Sequence, residues 1–190
     1  MNYNTNILII GSGLSGCIAA LTAAEERKKV ILITKCSQLL SGNTPFAQGG
    51  IVYSNSHNLK ENKFKNDLIT VGNDHSDESA VNQLVESGGK LVEDILINKL
   101  SISFQRDKDN QLLFTSEAAH SVDRIIHCKD QTGLVIHNAI INRIKKNKNI
   151  TILQNHTAID LLTYSHHSKS SKDIYKDPSC FGGIILNNLK

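Results

Sequence analysis

No apolar run in this 190-residue sequence approaches the ~20 residues that a membrane-spanning helix needs. The apolar stretch near the amino terminus, Ile7–Ile10, is too short for the core of a secretory signal, and no basic residue precedes it. Charge of one sign is also lacking. Against 21 Lys+Arg stand 18 Asp+Glu, and a net charge of +3 spread over scattered positions does not argue for a nucleic-acid partner. The longest basic cluster, Lys145-Lys146-Asn147-Lys148, falls at an expected helix end. The four cysteines, Cys17, Cys36, Cys128 and Cys180, make no CxxC, and with the eight histidines they form no ligand-spaced pairs. That pattern excludes a recognisable metal site and suits buried or half-buried thiols in a reducing, cytoplasmic compartment. His166-His167 sits in a Ser/Lys-rich stretch and reads as solvated surface. There is no internal repeat. What remains, 39% hydrophobic and 21% charged, is the balance of a soluble globular protein. Its length suits one domain, or one and a half, and buries roughly 70% of the unfolded surface.

The clearest positive signal lies in the first thirty-five residues. Asn6–Ile10 is a continuous apolar run rich in β-branched residues, bounded by Gly11-Ser12-Gly13-Leu14-Ser15-Gly16, and reads as a strand buried on both faces. From Leu14 to Glu26 the apolar positions with small residues between them suit a helix packed close to a sheet. Val30–Thr34 is a second buried strand. Strand, glycine turn, helix and strand make a βαβ unit with a right-handed crossover. In it, Gly11 allows the tight turn, Gly13 leaves room for a pyrophosphate, and Gly16 lets the helix pack on the strand. The first amides of the helix then point at the phosphates. A carboxylate for the ribose is expected at the end of the second strand, but Thr34-Lys35 stands there. This weakens the case for NAD and leaves FAD open.

A second glycine-rich stretch follows, from Ser41 to Ile51. It holds Gly42, Gly49 and Gly50 and little that would build a core. A long irregular segment in a compact domain is usually functional, and Gln48 with the amides of Gly49 and Gly50 suits hydrogen bonding to a flat heterocycle.

Asn6–Gly16, then Ile33-Thr34-Lys35, then Ser41–Ile51, resemble the flavoprotein family of succinate dehydrogenase, fumarate reductase and L-aspartate oxidase. Leu112–His127 followed by Asp130-Gln131-Thr132-Gly133 resembles the aspartate oxidase branch, and the similarity continues through Asn149–Leu153 and Thr157–Leu162. The resemblance implies an α/β fold: a Rossmann-like FAD-binding βαβ domain, incomplete, with helical insertions and the start of an antiparallel excursion. It implies FAD held without a covalent bond, because Asn43 stands where the respiratory members carry the linking histidine. It also implies a substrate-facing carboxylate at Glu117, before Ala118, Ala119, His120 and Ser121, where the succinate enzymes carry Gln. A carboxylate there suits a substrate ammonium. Ser116 and Asp123 depart from the family, which often has Arg at both; Arg124 remains.

By the same resemblance, Gly11, Ser12, Gly13, Leu14, Ser15 and Gly16 hold the pyrophosphate. Lys35 with Asn43, Thr44, Pro45, Phe46, Ala47, Gln48, Gly49 and Gly50 lines the flavin side. Thr157 and Ala158 meet the adenine end through their backbone. The implied reaction is oxidation of L-aspartate to iminoaspartate, with oxygen or fumarate as electron acceptor and quinolinate synthase consuming the product on the way to NAD. The family's capping domain and carboxy-terminal helical domain have no counterpart among these residues, so the expectation is an amino-terminal portion, residues 1–190, that is inactive alone. The alternatives are a soluble fumarate reductase or succinate dehydrogenase fragment, and a non-catalytic FAD-binding remnant.

Between the motifs, residues 63–100 read as amphipathic helices. Phe64, Leu68, Ile69 and Val71 mark the first, and Ser76-Asp77-Glu78 caps the next, with Val81, Leu84 and Val85 inward. Gly88-Gly89 is expected to break it, and Leu91, Val92, Ile95 and Leu96 form the following face. Ile102–Phe104 is a strand candidate and Asp107–Asn110 a turn. Gly133–Asn147 is a helix with Ile136, Ile140 and Ile144 on one stripe, and basic residues in its last turn favour the helix dipole. Thr151–Gln154 and Cys180–Leu186 read as strands, and Tyr164–Asp177 as a loop.

Overall fold

The computed structural model describes residues 1–54 and 60–189. It divides into two compact units, Met1–Thr44 with Ile140–Lys190, and Pro45–Ala139.

The first unit is built on a parallel sheet of β1 (Ile7–Ile10), β2 (Val30–Thr34) and β5 (Ile150–Gln154), in the order β1-β2-β5. Ile7 to Ile10 face Val30 to Ile33 in register, and Val30 to Thr34 face Ile150 to Gln154. β2, apolar up to its final Thr34, is buried throughout, as a central parallel strand should be. β1 differs from the expectation of burial on both faces: Ile7 and Ile10 are 37% and 54% exposed. The cause is position, because β1 stands at the edge of this sheet. Helix α1 (Leu14–Glu25) returns the chain from β1 to β2 and buries Cys17, Ala20, Leu21 and Ala24. Its small residues allow close packing on the strands. The backbone of β2 is tied to the turn before β5, with Val30 N–H donating to Asn149 O at 2.9 Å.

An antiparallel pair follows, β6 (His156–Thr163) and β7 (Cys180–Asn187), with register shifts on either side of the Asp160–Leu162 stretch. This is the expected excursion. Between its strands, the expected loop contains one helical turn, α5 (Tyr164–His167), and a 3₁₀ turn at Ser171–Tyr175.

The second unit holds β3 (Ile51–Val52) paired antiparallel with β4 (Ile125–Ile126), and the helices α2 (Lys60–Gly72) and α3 (Glu78–Leu91). Asp77 caps α3 by accepting from Ala80 N–H. Gly88-Gly89 does not break α3, which continues to Leu91 and passes into a π-helical stretch, Val92–Lys99. Gly89 serves packing instead: a Cβ there would overlap Ser54 O. Val81, Val92 and Leu96 are buried as expected, whereas Leu84, Leu91 and Val71 lie half or more exposed. Ile102 and Phe104 are buried but form no strand, and Phe104 N–H bonds back to Ile102 O at 3.0 Å. Asp107 makes the expected turn, its carboxylate accepting from the Asp109 and Gln111 amides.

Helix α4 (Thr132–Lys145) runs along the chain from the second unit into the first. Its stripe of Ile136, Ile140 and Ile144 is at most 3% exposed, as its spacing predicts. The thiols match their expectation except Cys180, which is exposed on β7.

Candidate functional site

In the first unit, the turn between β1 and α1 separates the three glycines by what surrounds them. Gly11 has φ +107°, and a Cβ there would meet nothing within 4 Å. Gly13 is the N-cap of α1, and a Cβ on it would meet only Thr44 Oγ1 at 3.6 Å, an ordinary contact. Gly16 is closed: a Cβ would overlap Gly11 O and press on Ile9 Cγ2. Gly16 is therefore needed for helix–strand packing, while Gly11 and Gly13 leave open space at the helix N-terminus. No acidic residue lies in the first turn of α1 to repel an anion. These residues fit a diphosphate, which helix amides and the positive end of the dipole favour.

Two contacts hold the turn in place. Leu14 N–H donates to Thr44 Oγ1 at 3.1 Å, bringing the start of the second glycine-rich stretch onto the first. Ser12 is buried, and its hydroxyl donates to Leu39 O at 3.0 Å. Ser15, Lys35 and Asn43 are exposed, and Thr34 is buried in the sheet. Below the turn, Cys17 Sγ lies 3.1 Å from Ser12 O, and burial pushes its thiol up to about 11.

Asn188 supplies a link that the sequence did not reveal. Its side-chain amide donates to Lys35 O at 3.4 Å and to Thr157 Oγ1 at 3.0 Å, while its backbone N–H donates to Asn155 O at 2.8 Å. It thus joins the end of β2 to the start of β6, where Thr157 and Ala158 sit opposite Leu186 and Ile185. In sequence, Asn188 lies 153 residues from Lys35, and no local pattern marks it.

In the second unit, Pro45, Phe46, Ala47, Gln48, Gly49 and Gly50 run from a 3₁₀ turn into β3. Ala47 O accepts from Gly133 N–H at 2.8 Å, fixing this segment to the start of α4. Gly50 has φ +151°, and a Cβ there would overlap Ile125 Cγ2 and stand 2.7 Å from Ile126 O. Gly49 lies against Glu117: a Cβ would overlap the Glu117 carboxylate. The two candidate elements from distant parts of the sequence are therefore in contact, with an exposed carboxylate over the glycine backbone.

Glu117 rides on an irregular loop whose return limb is strongly paired. Arg124, 2% exposed, donates through Nη1 to Asp67 Oδ2 at 2.6 Å, and the same oxygen accepts from Ser121 N–H and Oγ at 2.9 Å. The Ser121 amide foremost, and then the Arg124 guanidinium, hold the Asp67 carboxyl down at about 2. Asp67 was not among the expected site residues; it is 57 residues from Arg124 in sequence and sits unremarkably on α2. Among the described residues, no group of three or more His, Cys, Asp or Glu is placed to hold a metal ion. No helix there is long and apolar enough to cross a membrane.

Comparison with known proteins agrees with this geometry. A family model described as FAD binding domain matches residues 6–185. The L-aspartate oxidase of Halobacterium salinarum is 35% identical over 84% of this chain and 30% of its own length. That of Clostridium acetobutylicum is 35% identical over 99% of this chain and 39% of its own. The chain thus spans 30% to 39% of the length of these curated relatives. Among solved structures, an E. coli quinol fumarate reductase variant superposes with a TM-score of 0.82 at 18% identity, covering 97% of this chain and 29% of that one. A flavocytochrome c3 fumarate reductase gives 0.78 at 20% identity, over 97% and 30%. These two likenesses concern the fold. With a family match over residues 6–185, an open glycine turn at the head of a βαβ unit and no acidic residue in the first turn of α1, the chain belongs to the FAD binding domain family.

Proposed function

We propose that this chain is the flavin-holding and amine-facing part of an L-aspartate oxidase. The observation that carries the reading is the contact between the Glu117 carboxylate and Gly49, which puts a negative charge on the second glycine-rich stretch. An ammonium group is the complementary partner for such a carboxylate. L-Aspartate oxidase relatives at 35% identity support that choice of amine.

In this reading, the first amides of α1 and the open space at Gly11 and Gly13 receive the pyrophosphate, with Ser12, Leu14, Ser15 and Gly16 completing the turn. Lys35 and Asn43–Gly50 line the flavin side, and Thr157 and Ala158 meet the adenine end. Asn43 offers no nucleophilic ring nitrogen, so the flavin is held without a covalent link. Bound FAD supplies the two-electron acceptor for oxidation of the amino acid to its imine. Glu117 orients the substrate by its amine, which turns the α-carbon toward the oxidant. The electrons pass on to oxygen or fumarate, and iminoaspartate is consumed by quinolinate synthase in the cytoplasm.

The test is Glu117→Gln in a chain completed to the relatives' length. L-Aspartate oxidation should fall in kcat/KM by about tenfold, or ~1.4 kcal/mol, the lower end for a charged pair because Glu117 is exposed. Fumarate reduction should hold, since fumarate has no amine. Equal loss with both substrates would give Glu117 a structural role.

A further inference from the structure

The loop that carries Glu117 is closed at its neck. Thr115 N–H donates to Ile125 O at 2.9 Å, and Thr115 O accepts from Arg124 N–H at 3.1 Å and Ile125 N–H at 2.9 Å. Its tip turns tightly, with His120 N–H donating to Glu117 O at 3.1 Å and Ala119 at φ +71°. No helix or strand runs through the residues between. Something other than secondary structure must set where the tip stands.

That something lies on α2. A single oxygen, Asp67 Oδ2, takes two donors from Ser121 and one from Arg124. Arg124 Nη1 is also 3.0 Å from His120 Nδ1, and its guanidinium lies 5.1 Å from the centre of the Phe64 ring, which also stacks on His120. Side-chain exposure is 3% for Arg124 and 17% for Asp67, so this pair is largely removed from the water that weakens surface ion pairs. Arg124 Nε is buried with no hydrogen-bond partner among the described residues, so the cation depends on the contacts its Nη atoms make. Asp67 and Phe64 lie three residues apart on one face of α2, and together they grip the limb of the loop that returns from Glu117.

We propose that Asp67 and Arg124 are positioning residues for Glu117: their ion pair clasps the 115–125 loop to α2 and thereby fixes the Glu117 carboxylate against Gly49. The importance of that placement rests on reading Glu117 as the amine-facing group. The clasp itself does not, and it can be tested without any substrate.

The experiment uses the isotopically labelled chain in solution. Two signals report the clasp: the through-space cross-peak between Glu117 Hγ and Gly49 Hα, and the hydrogen-exchange rate of the Ser121 amide. The Val135 amide, bonded to Gln131 O in the same unit, reports whether that unit stays folded. In Arg124→Gln and in Asp67→Asn the cross-peak should vanish and Ser121 exchange should rise at least tenfold, with Val135 within twofold. Arg124→Lys, which keeps the charge, should restore the cross-peak. An intact cross-peak in both of the first two variants overturns the proposal. So does loss of Val135 protection in both, which would assign the pair to the stability of the unit alone. If the clasp signals behave as expected while Glu117→Gln spares aspartate oxidation, the amine-facing reading fails and the clasp stands.

Discussion

The two glycine-rich segments look alike in sequence and differ in three dimensions. In the first, Gly11 and Gly13 face open space, and only Gly16 is pressed by its neighbours. In the second, Gly42 also faces open space, whereas a Cβ on Gly49 would overlap the Glu117 carboxylate and one on Gly50 would overlap the Ile125 side chain and crowd Ile126 O. The first segment leaves two of its three glycines open at a helix N-terminus, and the second uses two of its three for close approach between parts of the chain. A glycine pattern therefore does not announce its purpose, and the space around each residue does.

The sharpest way to break this comparison is at the closed positions. Gly16→Ala inserts a methyl into Gly11 O, which cannot move without disturbing the β1–α1 turn, so the first unit should lose about 3 kcal/mol in denaturant unfolding. Unchanged stability would mean that the helix does not pack as described. Gly13→Val should leave folding much less affected, because the space is open, yet FAD titration should show binding lost. A variant that binds normally would remove the phosphates from this turn.

Acid tests the second unit next. The Asp67 carboxyl titrates at about 2 in the folded chain against an ordinary 3.8. Its contribution is complete above the ordinary value and is lost as pH falls through about 2. Unfolding of the second unit should thus become easier between about pH 4 and pH 2, and Asp67→Asn should flatten that slope. A slope that Asp67→Asn leaves unchanged would place the acid sensitivity elsewhere. The smallest effect concerns the flavin linkage: with Asn43 in place of a histidine, bound flavin should appear in the supernatant after acid precipitation. Flavin retained by the precipitated chain would contradict a non-covalent site.

Much of this fold was legible because periodicity and composition act locally. The four apolar residues of β2, the small-residue helix α1 and the Ile136–Ile140–Ile144 stripe each declare their burial within a few turns of chain. The errors arose where a distant neighbour decides. Gly88-Gly89 has the composition of a helix break, but the helix runs on through it, and the missing side chain of Gly89 makes room for the Ser54 backbone. β1 reads as doubly buried, and its exposure depends on which strand lies beside it, a matter of sheet order. Ile102 and Phe104 satisfy burial without a ladder. For the candidate site, the glycine turn and Glu117 carried a family pattern, whereas Asp67 and Asn188 act on partners far away along the chain and left no local trace.

The Cys17 thiol offers a clock on the β1–α1 turn. It is fully buried one turn into α1, and at about 11 it stays protonated at neutral pH. Alkylating reagents attack the thiolate, so they must wait until the turn opens and the sulfur meets water. The exposed Cys180 in the same unit supplies an internal standard for reagent strength. The ratio of the two labelling rates measures how often the β1–α1 turn breathes. A ligand that grips the turn should slow Cys17 while Cys180 keeps pace, which turns an ordinary core residue into a reporter of occupancy that needs no enzymatic turnover.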